Sequence, residues 1–504
     1  MPADPYAQGL KLSAQGQHAR AIEQFERALA VHPDDPRTLF ALGNTARALG
    51  LSRPAEEFYR RVLVIEPRRL EAVVSLANLL RAQGQFAAAE ALLEPALAGS
   101  PDAPELWLTL GSTYREMGER ERAAEHYRQA LELRPNYAAA LGNLADLLAD
   151  DGNAQDAMAL YERALKGKPD NAQARLNRAV LLLLKGDLKA GWRDYAARLK
   201  LAGKVPVPDH DLPRWSGGSL KRTRLLVTAE QGVGDQIMFA SMIPDLAARA
   251  GAEGGSLILE CEPRLADLFA RSFPSVAVRA WEVQTREGVV RTRYGWLKAA
   301  GGANGAIEMG TLPRFLRGAI EDFPRDKSYL RPDAAEAQRW RTHFAEAPRP
   351  LTGLCWRSGS AGGHRAVQYA PLEAWAAFVR NLPGSLVCAQ YDAEAEEITA
   401  LKAISGRDIL VPPAIDQKNE LDRTAALLST LDALASAPTA VSWLAAATGT
   451  PTYKVLYDTS WTSFGEAYEP FAPSALCMMP RTRGDWADGF GQAEAAITSR
   501  FASP

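Results

Sequence analysis

Two glycines and two carboxylates are packed into seven residues, Glu230-Gln-Gly-Val-Gly-Asp-Gln236, between the apolar run Arg224-Leu-Leu-Val-Thr-Ala229 and a helical stretch from Gln236 to Arg249. Gly232 and Gly234 would let backbone approach a ligand closely. Asp235 falls at the helix start, where a carboxylate either caps the helix or takes a proton from an attacking hydroxyl; the pattern fits both. Gln236 follows directly and would share the ligand side of the turn. The turn matches only part of a dinucleotide-binding fingerprint, because the third glycine is missing.

A second polar group lies more than a hundred residues further on. Arg357, Ser358, His364 and Arg365 occupy a glycine-rich loop after Thr352-Gly-Leu-Cys-Trp356. Cations there could neutralise phosphate charge as a nucleotide leaves, or the loop is simply solvated. Gln390 ends the next apolar run by position. In Ser436-Ala-Pro-Thr-Ala-Val-Ser-Trp443, Thr439 and Ala440 open a helix whose N–H groups could cradle a phosphate, with Ser436 just before it. Trp443 is suited either to stack on a ring or to fill core. Asp209-His210-Asp211 precedes the first strand and is assigned to a linker, which leaves no sequence argument for a metal.

These residues need a scaffold of strands ending in loops. Apolar runs at Arg224–Ala229, Ser256–Glu260, Thr352–Trp356, Ser385–Gln390, Asp408–Val411 and Thr452–Leu456 alternate with helical stretches, the signature of parallel sheets covered by helices. The expected parse is two α/β lobes, 223–345 and 346–504, with a linker over 201–222. Ligands in such sheets bind beyond the carboxyl ends of strands, which is where the polar groups fall.

The first two-fifths of the chain is different. Gly16, Gly50, Gly84, Gly118, Gly152 and Gly186 recur every 34 residues, and so do Pro33, Pro67, Pro101, Pro135 and Pro169. Trp107, Leu110, Gly111 and Tyr114 share one helix face, and Ala123, Tyr127 and Ala130 share another. Each unit is therefore a helical hairpin. The pattern resembles the tetratricopeptide repeat (TPR), in about six units over 1–200, the last degenerate and capping. That resemblance implies a groove for a peptide or protein, while a mere spacer remains the other reading. Asn44, Asn78 and Asn143 recur on first helices and could bind an extended peptide backbone, or simply be solvated.

Beyond the repeats, Glu230 to Ala240, Gly310-Thr-Leu-Pro-Arg-Phe315, Tyr329-Leu330, Gly353-Leu-Cys-Trp-Arg-Ser358 and Asp422-Arg-Thr-Ala-Ala-Leu-Leu-Ser-Thr-Leu-Asp432 resemble the GT-B glycosyltransferases of the bacterial heptosyltransferase superfamily. The likeness spans about 210–495 and is closer still to bacterial proteins that join TPR repeats to such a module, flagellin glycosyltransferases among them. It implies a GT-B fold of two Rossmann-like lobes, with the catalytic Asp at Asp235. It further implies a nucleotide-sugar donor, with a CMP-nonulosonic acid such as pseudaminic acid among the candidates, and flagellin as the protein acceptor held by the repeats. A cofactor and a metal are not implied. The family's donor-phosphate run falls on Ser436 to Trp443, where Pro438 and Trp443 replace its Asp and His. Rival readings are a heptose or N-acetylglucosamine transferase acting on protein or lipopolysaccharide, and a non-catalytic adaptor or chaperone.

Composition sets the outer bounds. With 47% apolar and 23% charged residues and a net charge of −2, the chain reads as globular and carries no nucleic-acid footprint. Its four cysteines show no CxxC spacing, and no stretch reads as a signal peptide or a membrane span, so a reduced, cytoplasmic setting is expected.

Overall fold

The computed structural model describes residues 4–201, 207–286, 289–325, 328–359 and 368–502. The chain divides into two compact units, Met1–Asn177 and Arg178–Pro504.

The first unit is a stack of helix pairs: Pro5–Ala14 with His18–Val31, Pro36–Ala48 with Ser52–Ile65, Leu70–Ala82 with Phe86–Gly99, Pro104–Met117 with Arg120–Leu133, and Ala138–Asp150 with Ala154–Gly167. Two backbone conditions impose the 34-residue period. Each first helix ends on a left-handed residue, as at Gly118 with φ 85°, which a side chain would strain. Midway along that helix a small residue meets a large one: a Cβ on Gly43 would stand 2.6 Å from the Tyr59 ring. The rings that use this space, Tyr59, Tyr127 and Tyr161, are almost wholly buried. Burial on that scale contributes about 1.5–3 kcal/mol for each large side chain.

The second unit begins within the sixth helix pair, Ala172–Leu184 and Leu188–Tyr195, and contains three sheets. Its strands are β1 (Val207–Asp209), β2 (Arg224–Thr228), β3 (Ser256–Cys261), β4 (Ala277–Ala280), β5 (Glu282–Arg286), β6 (Val289–Arg293) and β7 (Gly305–Glu308). There follow β8 (Leu351–Cys355), β9 (Ser385–Cys388), β10 (Ile409–Leu410), β11 (Ala433–Ser436), β12 (Thr452–Val455) and β13 (Ala475–Met478). One lobe is built on a parallel sheet of order β4-β3-β2-β7, the other on a parallel sheet of order β10-β9-β8-β11-β12-β13. The strand order reverses between β2 and β7 in the first lobe and between β8 and β11 in the second. Loops after those strands diverge to opposite faces and open a crevice at each reversal.

One expectation is corrected and one resolved. The segment after residue 206, which a linker or an extended crossing strand would both fit, is partly strand: β1 pairs with β6, and the backbone of Pro213 and Trp215 bonds to Ala306 on the edge of β7. Proline at Pro208 and Pro213 is tolerated because both lie on sheet edges. The helix expected over Gln236–Arg249 is two helices, Val233–Ala240 and Ile243–Glu253, with Pro244 in the first turn of the second, a position where its missing N–H costs nothing. Among the described residues no helix is long and apolar enough to cross a membrane.

Candidate functional site

Both sequence motifs land on the reversal points. The turn Ala229–Gly232 leaves β2, and Gly232 is the N-cap of the helix Val233–Ala240. Asp235 is thus the third helical residue rather than the cap, half-buried in the first turn. Its negative charge gains from the helix dipole there.

The loop ahead of it is rigidly held. Glu230 is buried and ion-paired with Arg198, whose Nη2 also donates to Thr311 Oγ1 at 2.9 Å, while the Gly310 amide donates to Glu230 Oε1 at 2.8 Å. Gln236, expected to face a ligand, is spent internally. Its Nε2 donates to the Gln231 carbonyl, and its Oε1 accepts from the Glu262 amide, both at 2.8 Å. That ties the loop after β2 to the end of β3.

Across the lobe seam, the loop after β11 runs into the helix Ala440–Ala447. Thr439 is its N-cap, with Ser442 Oγ accepting from the Thr439 amide at 3.3 Å. Gly234 meets this helix directly: a Cβ there would lie 3.5 Å from Ala440 Cα and from Trp443 Cδ1. So Gly232, Gly234, Asp235, Thr439, Ala440 and Trp443 share one place between the lobes. Trp443 is half-buried, packed with Tyr329 against Ala446, Ala472 and Ala475, and its ring lies 4.3 Å from Lys454 Nζ. Ser436 differs from expectation, being fully buried with Oγ donating to the Ala437 carbonyl at 2.6 Å.

The cluster after β8 adjoins this place. Gln390 Oε1 accepts from the amides of Trp356 and Arg357, each at 2.9 Å, so Gln390 shapes the loop instead of facing solvent. Arg357 grips Glu397 with Nε at 2.5 Å and Nη2 at 2.7 Å. Burial pushes the Glu397 carboxyl up, but the hydrogen bonds from Arg357, the Glu394 amide and Trp356, with the Arg357 charge, together hold it below the usual range. Ser358 accepts from the Tyr391 hydroxyl at 3.2 Å. His364 and Arg365 lie outside the described residues. Cys355 sits beneath, its Sγ 3.5 Å from Thr439 Oγ1, and burial pushes its thiol up to about 11. It is therefore no nucleophile.

Between the two clusters lies a pocket of about 200 Å³, walled by Val233, Tyr391, Gln417, Leu421, Ala440 and Leu444. Its size suits one flat ring. Gln417 and Leu421 were not singled out from sequence, since an isolated glutamine on a loop has no distinguishing spacing. Tyr195, whose hydroxyl donates to Gln231 Oε1, lies in the degenerate last repeat.

In the first unit, the three asparagines do not form one row. Asn44 Oδ1 accepts from the Tyr59 hydroxyl at 2.8 Å, and Asn78 Oδ1 accepts from Arg81 at 2.8 Å. Asn143 Nδ2 donates to Ser112 Oγ of the preceding repeat at 3.2 Å, as Asn177 Nδ2 does to Asp146 at 2.6 Å. Asn143 thus stitches repeats together.

Glu260, at the end of β3, is fully buried below the loop; Oε2 accepts from the Ala229 amide at 3.1 Å and from the Tyr294 hydroxyl at 3.2 Å. Burial raises its carboxyl from 4.5 to about 7. The folded protein keeps a proton through that window which the unfolded chain has lost, so stability falls as pH rises through it. Glu260→Gln should therefore gain about 2–3 kcal/mol over the wild type between pH 5 and pH 8.5, measured by urea denaturation. A pH-independent difference would show that Glu260 ionises normally.

Comparison with known proteins covers the two parts unequally. Residues 6–69, 69–136, 108–172 and 143–203 match TPR family models, so the N-terminal region is a TPR array. The chain is 35% identical over 325 residues to Protein FlbA of Caulobacter vibrioides, a match covering 64% of this chain and 54% of FlbA. The chain spans about half the length of that curated relative. Because the matched stretch is longer than the repeat array, the likeness extends into the α/β part. Among solved structures, TTC0263, a TPR protein of Thermus thermophilus, is 31% identical with TM-score 0.32, covering 36% of this chain and 97% of that one. PilF of Pseudomonas aeruginosa is 21% identical with TM-score 0.33, covering 39% of this chain and 88% of that one.

Proposed function

We propose that this protein is a GT-B-type O-glycosyltransferase that moves a sugar from a nucleotide to a serine or threonine of a protein acceptor. The observation that carries the reading is the meeting of Gly234 with Ala440 and Trp443, which sets Asp235 of one lobe beside the Thr439 helix start of the other. Asp235 takes the proton from the acceptor hydroxyl, whose oxygen then bonds to the anomeric carbon. The bond from that carbon to the leaving phosphate oxygen breaks, and its electron pair departs with the nucleotide. The backbone N–H of Ala440, at the first helical position, faces the charge that develops on the phosphate.

The repeats supply the acceptor grip, since tetratricopeptide arrays are protein-binding modules. Flagellin is the acceptor favoured by the sequence resemblance, and the similarity to FlbA is in line with a flagellar setting. A CMP-linked nonulosonic acid is the donor that the same resemblance favours. Co-expression with flagellin and the sugar pathway should raise the intact mass of flagellin by whole sugar units. An unchanged mass would overturn this reading.

One observation favours a second reading. Arg357 is occupied by Glu397, and Pro438 and Trp443 stand where the family has Asp and His, as in a module that has lost catalysis and serves as an adaptor or chaperone. The two separate on nucleotide response. CMP, UDP or ADP at 100 times its dissociation constant stabilises a binding module by about 2.7 kcal/mol, and an adaptor shows no such rise.

A further inference from the structure

We infer that Tyr195, in the last repeat hairpin, is a positioning residue for the loop that carries Asp235. The inference rests on the transferase reading for its kinetic consequence, though its geometry stands alone. Tyr195 is 5% exposed, and its hydroxyl donates to Gln231 Oε1 at 3.1 Å, two residues before the glycine turn begins its helix. Three residues on, Arg198 fastens the neighbouring Glu230, and its own Nη1 returns to the Tyr195 carbonyl at 3.2 Å. One short stretch of the hairpin therefore holds both residues that lead into Gly232-Val-Gly-Asp235.

The opposite side of the loop has no slack. A Cβ on Gly310 would fall 2.7 Å from Gln231 Nε2 and 2.7 Å from Glu230 Oε1, so Gln231 is confined between Gly310 and Tyr195. The Tyr195 hydroxyl also stays protonated. Burial pushes it far up, Arg198 pulls it back, and the Asp235 and Glu230 carboxylates raise it further. It is thus a permanent donor to Gln231, close enough to Asp235 to feel its charge.

The hairpin also touches both lobes. Tyr195 packs on Phe239 of the first lobe and, at 5.6 Å between ring centroids, on Trp461 of the second. Trp192 lies 6.2 Å from Phe471, and its Nε1 donates to the Arg317 carbonyl at 2.9 Å. By structure, then, this hairpin is part of the site's support, although by sequence it is the worn end of the repeat array.

Tyr195→Phe in the full chain tests this, because it keeps the ring and its packing and removes only the hydroxyl. Hydrogen exchange of the amides in 230–236 should quicken about five- to tenfold, with 243–253 unchanged. Turnover should fall about tenfold, with KM for the donor within about twofold of wild type. Gln231→Met should give the same loss, and the double variant no more than either single one. Unchanged exchange in 230–236 overturns the inference, as does turnover within twofold of wild type. A lowered melting temperature with exchange and turnover intact would mean packing alone and also overturns it. If the wild type transfers no sugar, exchange alone decides the positioning, and the transferase reading fails separately.

Discussion

Asp235→Asn is expected to lower sugar transfer about 10²–10⁴-fold while leaving nucleotide affinity close to wild type. The substitution is nearly isosteric and keeps an acceptor oxygen in place. Since Gly232, not Asp235, caps the helix Val233–Ala240, no cap is lost. Part of what disappears in stability is the gain of a first-turn negative charge from the helix dipole, about 0.3–1 kcal/mol. What disappears in chemistry is the carboxylate proposed as the base; the turn's other carboxylate, Glu230, is committed to Arg198 and Gly310. Nucleotide release and acceptor mass would be followed together. Transfer within about threefold of wild type would remove Asp235 as the base and send the search to other carboxylates at the seam.

The repeat array was legible because each of its rules is local. A left-handed glycine and a small residue facing a ring recur every 34 residues, and each is satisfied within a single hairpin. The asparagines on the first helices differ in register. Asn143 follows Asn78 by 65 residues, three short of two repeats, which moves it one helical turn and turns its amide toward Ser112. Six strands were legible from apolar runs, but β4, β7, β11 and β13 were not, and neither was the strand order, although β7 and β11 make the two reversals. β5 and β6, Glu-Val-Gln-Thr-Arg and Val-Val-Arg-Thr-Arg, carry too little apolar surface to signal strand, and β1 pairs with β6 more than eighty residues away.

The site was half legible for a related reason. Glycine turns at strand ends announce themselves, so Gly232, Gly234, Asp235 and Thr439 were placed by pattern. Gln236, Gln390 and Arg357 have equally suggestive positions, but their side chains answer to neighbours that sequence does not name: the Glu262 amide, the Trp356 amide and Glu397. A polar residue at a loop mouth can bind a ligand or build the loop, and only the partners distinguish the two. The same ignorance hid Tyr195, whose importance comes from Gln231.

Lys454→Met is expected to be among the most damaging single changes in the second unit, costing about 3–5 kcal/mol. Lys454 is 2% exposed and Glu469 0%, and the two form an ion pair under Trp443. Glu469 has little else to rely on: Cys477 Sγ and Ser460 Oγ approach Oε1 at 3.6 and 3.4 Å, and Oε2 has no hydrogen-bond partner among the described residues. Removing the ammonium strands a carboxylate in apolar surroundings, where burying an unpaired charge is far more costly than losing a contact. Lys454→Met/Glu469→Leu removes both charges and should recover most of the loss, since a buried pair gains little over apolar groups of similar volume. Chemical denaturation of the two singles and the double gives the coupling directly. A Lys454→Met cost below about 1 kcal/mol would mean that the ion pair contributes little to holding this core together.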